Sequence, residues 1–279
     1  MSVWKFANIE WDLEIQPRIL GILNVTPDSF SDGGLFVEPQ RALEHALRME
    51  AQGADAIDVG AESTRPGACE ITIAVEWQRL ESVLKLLSAS LKIPISLDTR
   101  KSEIARRGIA TGVQIINDVS GGRFDAKMFD VVRQTKAGYI LMHSRGTPDH
   151  MMEHCHYQNL FEEIKQELKN QVGLAQKQGV RPKQIVLDPG FGFAKNVEQN
   201  DDLLDNLEKV ILESYPCAIG ISRKRFLREK AGGEQEKLMK LGIAGCQKAY
   251  KKGVRLFRVH EVELTVKRLK GMDPGSSPG

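Results

Sequence analysis

The chain has 279 residues, with 39 Lys and Arg against 37 Asp and Glu for a formal net charge of +2. That length suits an α/β barrel, which often runs to about 250 residues, and the near-neutral balance leaves no electrostatic footprint for nucleic acid or an anionic membrane. Cys69, Cys155, Cys217 and Cys246 form no Cys-x-x-Cys pair, no signal peptide opens the chain, and no run approaches the ~20 apolar residues that span a bilayer. A cytoplasmic location, reduced thiols and a small-molecule partner are therefore expected.

In chain order, residues 2–15 alternate as a hairpin does, with a turn at Ala7-Asn8, and such a hairpin can plug the bottom of a barrel. Ile19 to Asn24 is a continuous apolar strand that ends on a polar residue. The loop at 26–34 is too rich in hydroxyls and carboxylates to be only a tight connection, and a helix follows over 39–52. Residues 53–67 carry the densest set of signals. Ala56 to Val59 reads as a buried strand interrupted by Asp58, whose charge needs a partner. The next residues, Glu62-Ser63-Thr64-Arg65-Pro66-Gly67, put two hydroxyls and a guanidinium on a loop that can close on an anion.

The same unit then recurs. Strands at 93–98, 114–118, 139–143, 184–188, 218–222 and 256–260 alternate with helices at 73–90, 102–110, 126–134, 160–178, 203–212, 238–251 and 262–269. Eight apolar strands, each followed by helix-like sequence, predict an α/β fold: a single (β/α)8 TIM barrel over 1–270 with a short N-terminal β-hairpin at 1–15. The stretch 271–279 has linker composition and is expected to be a flexible tail or an expression remnant.

Asn24, Asp58, Asp98, Asn117, His143, Asp188, Ser222, Arg258 and His260 all fall at C-terminal strand ends, the rim on which barrel enzymes build active sites. Helix capping accounts for one or two such residues, not for this many. They divide by chemistry. Asp98, Asn117 and Asp188 suit a flat heterocycle with an amidine-like donor edge. Asn24, Thr64, Arg65, Arg258 and His260 come from strands that become neighbours on closure and offer donors to a phosphate or pyrophosphate. Lys224, where a helix is expected to begin, stands between the two sets. The run Asp188-Pro189-Gly190-Phe191-Gly192-Phe193 brings backbone and an aromatic face toward a ring, although either Phe suits the core equally. His150 and His154 have the i, i+4 spacing of a zinc pair near His143, Cys155 and His156, but no third ligand sits at customary spacing and the region reads as surface loop.

Five stretches together carry a resemblance: residues 21–34, 58–67, 188–193, Ser222-Arg223-Lys224 and Arg258-Val259-His260. In order along one barrel, they are similar to dihydropteroate synthase, the folate-pathway transferase targeted by sulfonamides. The resemblance implies condensation of (7,8-dihydropterin-6-yl)methyl diphosphate with 4-aminobenzoate to give 7,8-dihydropteroate and pyrophosphate. It implies that Asp98, Asn117, Asp188 and Lys224 hold the pterin, with Met142 and Phe193 packing nearby. Asn24, Thr64, Arg65, Arg258 and His260 would take the diphosphate, Asn24 also reaching Mg²⁺. Asp58 would support the second strand's rim, Pro66 and Phe193 would wall the aminobenzoate, and Gly220 and Ser222 would join the substrate-binding set. A homodimer and a dissociative, Mg²⁺-assisted displacement are also implied. Two positions depart from the family pattern: Ala194 stands where glycine commonly follows Gly-Phe-Gly-Phe, and Gly253-Val254-Arg255 replaces Gly-Ala-Asp.

Two other readings stay open at the level of sequence. Methyltetrahydrofolate-dependent methyltransferases share a pterin-binding barrel but need no diphosphate seat, and a non-catalytic pterin binder would have lost one. The Thr64-Arg65 loop with Arg258 and His260 argues against both.

Overall fold

The computed structural model describes residues 3–26 and 37–271. Most of the expected loop at 26–34 and nearly all of the expected tail lie outside the described residues. The chain opens with two antiparallel strands, β1 (Val3–Phe6) and β2 (Ile9–Asp12), and continues as eight parallel strands. These are β3 (Arg18–Asn24), β4 (Ala56–Gly60), β5 (Ile95–Asp98), β6 (Ile115–Asp118), β7 (Gly138–Met142), β8 (Ile185–Asp188), β9 (Ala218–Ile219) and β10 (Leu256–Val259). Neighbours in the ladder are neighbours in sequence, and β10 returns to pair with β3. The barrel is nearly closed. Its last seam, between β8 and β9, is a single bridge from Leu187 to Cys217, with the Leu187 N–H donating to the Pro216 carbonyl at 2.9 Å.

The continuous apolar runs are explained by burial on both faces. On β3, Leu20 points into the barrel while Ile19 and Leu23 point out toward the helices. The inward layer at the bottom, Leu20, Ala56, Ile115, Ile140, Val186, Ala218 and Leu256, packs against Trp4, Phe6, Trp11 and Leu13. The hairpin is thus the expected plug. Its rings pack edge to face or tilted, with centroids 4.7 to 5.6 Å apart. The Trp4 indole N–H donates to the Gln184 carbonyl at 2.7 Å, so the buried ring leaves no polar atom wanting.

The connecting helices are α1 (Val37–Ala51), α2 (Ile73–Ser90), α3 (Ser102–Ala110), α4 (Met128–Thr135), α5 (Leu160–Lys177), α6 (Val197–Asp205), α7 (Arg225–Ala231), α8 (Gln235–Lys251) and α9 (Val262–Leu269). One helix and one strand differ from the sequence reading. The helix expected over 203–212 begins at Val197, because Asn196 and Gln199 form a capping box, each side chain accepting the other's backbone N–H at 2.8 and 2.9 Å. It ends at Asp205 and gives way to a 3-10 turn at Leu207–Lys209. The strand expected over 218–222 stops at Ile219. Arg223 then adopts φ 57° as the chain turns into the extra helix α7, whose N-cap is Lys224.

Candidate active site at the barrel mouth

The register places three rim residues level: Gly60 lies opposite Asp98, and Asp98 opposite Asn117. Asp58, two residues before Gly60, shares its face one layer deeper and is fully buried. Its Oδ2 accepts from Asn117 Nδ2 at 3.1 Å and from Arg258 Nε at 2.5 Å. The other arm of that guanidinium, Nη2, donates to Asp98 Oδ2 at 2.8 Å. Glycine at position 60 lets Asp98 lie close, since a Cβ there would lie 3.3 Å from that of Asp98.

Arg258 therefore lies across the mouth, bound to Asp58 and Asp98. Asp58 is correspondingly the buried counter-charge below the rim. Burial opposes the charge of Arg258, but Asp58 and Asp98 outweigh it and raise its pKa. Burial pushes Asp98 up to about 7 despite Arg258, and Asp188 to about 6 against the pull of the Gly190 N–H. Lys224, desolvated and facing the charge of Arg258, is lowered to about 8. Gly220 lies flat against the Arg258 stem, where a Cβ would be 3.6 Å away.

Asp188 ends β8, and its Oδ1 accepts the Gly190 N–H at 2.7 Å. Gly190 has φ 73°, and a Cβ there would fall 1.9 Å from the His143 carbonyl, so this turn requires glycine. The two aromatics part company. Phe191 is core, stacked on Phe226 at 6.1 Å, whereas Phe193 turns its ring to Lys224, whose Nζ is 4.3 Å from the centroid. Met142, at the end of β7, packs with Phe193 and Ala194. Ala194 holds φ 49°, a left-handed conformation that explains why glycine suits the position.

A scaffold behind this turn escapes sequence reading. Lys195 is buried and donates to the Gly190 and Phe193 carbonyls at 3.0 Å and to His143 Nδ1 at 3.1 Å. His143 Nε2 in turn faces Glu167 at 3.2 Å, and Arg145 binds Glu163 and Glu167 while stacking on Tyr157. Burial lowers Lys195 to about 7 and His143 to about 3, so the imidazole is neutral and takes the lysine's proton as an acceptor. A lysine is ordinarily a surface residue; the only signal was its place two residues after the Gly-Phe-Gly-Phe run. His150 pairs instead with Asp149 and Glu153 on the surface, and among the described residues no three His, Cys, Asp or Glu side chains gather as a metal site requires.

The loop after β4 is tied at its base. Glu62 accepts from Arg100 Nε at 3.1 Å, Lys101 Nζ at 2.9 Å and the Ile71 N–H at 3.0 Å. Beyond it Thr64 is half-buried, and Arg65 and Pro66 are exposed. The Arg65 charge nevertheless reaches inward, being one of those that depress Lys224 and His260. The Gly67 N–H donates to the Pro148 carbonyl at 3.0 Å, which joins this loop to the one after β7.

His260 follows β10. Its Nδ1 lies 2.9 Å from Ser222 Oγ, which also accepts the His260 backbone N–H at 3.3 Å. The Ser222 hydroxyl is 2.9 Å from Glu261 Oε2, and Arg223 grips Glu261 Oε1 with Nε and Nη2 at 2.8 and 2.7 Å. Burial, with Arg223 and Arg258 nearby, lowers His260 to about 3, so its ring is neutral. Asn24 is half-buried at the end of β3, opposite Gly60. It brings one neutral oxygen, which suits a cation that keeps its waters and draws its remaining ligands from substrate phosphates.

An eight-stranded barrel with carboxylates, an amide and cations converging on its C-terminal mouth has the layout of a barrel enzyme's active site. The family model described as "Pterin binding enzyme" matches residues 20–260. Dihydropteroate synthase of Synechocystis is 41% identical over 256 residues, covering 91% of this chain and 89% of that protein. Dihydropteroate synthase of Xanthomonas albilineans solved with 4-aminobenzoic acid superposes with a TM-score of 0.89 at 36% identity, over 96% of each chain. The same organism's enzyme in complex with 7,8-dihydropteroate gives 0.83 at 30% identity, over 97% of this chain and 96% of that one. The chain belongs to the dihydropteroate synthase family, transferases of folate biosynthesis.

Proposed function

We propose that this enzyme condenses (7,8-dihydropterin-6-yl)methyl diphosphate with 4-aminobenzoate, releasing pyrophosphate. The observation that carries the reading is the single mouth in which Asp98, Asn117 and Asp188 stand beside Lys224 and Arg258. The carboxylates accept the donor edge of the pterin, and a fork of two parallel N–H bonds to Asp188 fixes the ring. Lys224 lies over one end of that ring and Phe193 packs under the lysine. Thr64 and Arg65 close on the diphosphate from the loop, while Arg258 and His260 meet it from β10. Asn24 would hold Mg²⁺ together with diphosphate oxygens, which supplies neutralisation of the leaving group's charge.

The proposed displacement is dissociative. The C–O bond to diphosphate breaks, the electron-rich dihydropterin carries the positive charge of the methylene, and the arylamine attacks it, losing a proton. Cations fixed in advance around the departing oxyanion lower that barrier without reorganisation. Pro66 and Phe193 wall the aminobenzoate ring, as Gly220 and Ser222 shape the floor. Sulfonamides would compete there, a cytoplasmic location suits the near-neutral surface, and the assembly proposed is a homodimer through the last two helices, where Leu264 is exposed. The test is release of pyrophosphate: it should require both substrates together, and release with either alone, or none with both, would refute the assignment.

A further inference from the structure

The chain of contacts from His260 to Arg223 fixes more than position. A serine hydroxyl has one proton to give and two lone pairs with which to accept. A carboxylate has no proton to give, and Glu261 already accepts two N–H donors of Arg223 on Oε1, leaving Oε2 to accept from Ser222. At 2.9 Å, the proton between Ser222 Oγ and Glu261 Oε2 must therefore come from the serine. Ser222 Oγ, already accepting the His260 backbone N–H, can then only accept from the ring, so Nδ1 carries the hydrogen. The opposite arrangement would leave two lone pairs facing each other across the Ser222–Glu261 contact, with no proton between them.

We infer that Glu261 is a positioning residue that, through the Ser222 hydroxyl, holds His260 in the Nδ1–H tautomer and so presents Nε2 as an acceptor. Among the described residues Nε2 has no hydrogen-bonding partner, and Arg223, Arg258, Lys224 and Arg65 are the charges that act on the ring. The expected donor role of His260 toward diphosphate is thereby revised. A neutral ring of this tautomer meets a phosphate oxygen only when a proton lies between them, so diphosphate engages it as a protonated species or converts it to imidazolium. This consequence, unlike the tautomer itself, rests on the diphosphate reading above.

The experiment is nitrogen NMR of the histidine-labelled full-length enzyme, first without ligand and then with pyrophosphate. Wild type should show His260 Nδ1 as the protonated, pyrrole-type nitrogen and Nε2 as the bare, pyridine-type one. In Glu261→Gln the amide N–H can donate to Ser222, which frees the hydroxyl to donate to Nδ1, and the two shifts should exchange. Glu261→Asp, which keeps the acceptor, should retain the wild-type pattern. A bare Nδ1 in wild type overturns the inference outright, whether or not any variant folds. An unchanged pattern in Glu261→Gln removes Glu261 from the role. On adding pyrophosphate, wild-type Nε2 should move to the protonated shift; if it stays bare while binding is seen, the consequence for diphosphate fails and the tautomer stands.

Discussion

Arg258 compensates two carboxylates at once, one of them fully buried. Removing one partner of such a cluster leaves charge without compensation, and breaking a buried pair typically costs about 3–5 kcal/mol. Arg258→Ala should therefore lose stability of that order in a denaturant titration as well as turnover, and a second change, Asp58→Asn, should restore part of the stability without restoring activity. Titration of the same groups sets the pH response. In the proposed function the pterin is held by ionised Asp98 and Asp188, so activity should fall as pH drops through about 7 and about 6. It should fall again above about 8 as Lys224 loses its proton. A bell-shaped profile with these limbs is the expected outcome, its apparent values belonging to the coupled set. Stability runs the other way on the acid side. Both carboxyls have folded pKa values raised above the ordinary carboxylate range, so their contribution is fully present below about 4 and is lost as pH rises through 6 to 7. Lys224, depressed from about 10.4, adds stability only as pH climbs above about 8. At this scale sequence reading located Asp98, Asn117, Asp188 and Arg258 on the rim, because each lies at the C-terminal end of an apolar strand; Asp58, expected there too, lies one layer below. Sequence reading could not see that Arg258 spans the mouth, or that Lys195 is buried, since both depend on side chains reaching across strands far apart in the chain.

Among the elements, the hairpin and the barrel floor stabilise each other. Trp4 is completely buried, donates to Gln184 and touches the bare face of Gly138, where a Cβ would come within 2.7 Å of the indole. Trp4→Ala should cost about 3–5 kcal/mol, read as a lower denaturation midpoint, while kcat and KM at a temperature where the protein is folded stay near wild type. A comparable loss of activity would mean that the plug reaches the mouth. Alternation in residues 2–15 made the hairpin legible, as helical periodicity made most of the helices legible. The start of α6 was missed because its signal is the polar pair Asn196 and Gln199, not an apolar stripe; the helix expected to begin at Lys224 is α7, whose N-cap is that lysine.

For the molecule as a whole, closure is uneven. Each pair of strands from β3 to β8 shares a ladder of three to five residue pairs, whereas β8 meets β9 through one bridge. Local opening follows the weakest hydrogen bonding, so amides at 217–222 should exchange with deuterium before those of β4 and β5, and equal protection would contradict this picture of the seam. The barrel class was readable because eight like units admit few arrangements; the thin seam was not, because an apolar run ending on a polar residue reads as a strand whether or not it finds a partner. Arg258 sits on Asp58 and Asp98 as a tethered competitor. Whatever approaches those oxygens must dislodge it, and a molecule bearing both a donor edge and an anionic tail gives the displaced guanidinium somewhere to go. Half-molecules do not, so a pterin and a diphosphate offered separately should each bind more weakly than their share of the intact substrate's affinity would suggest.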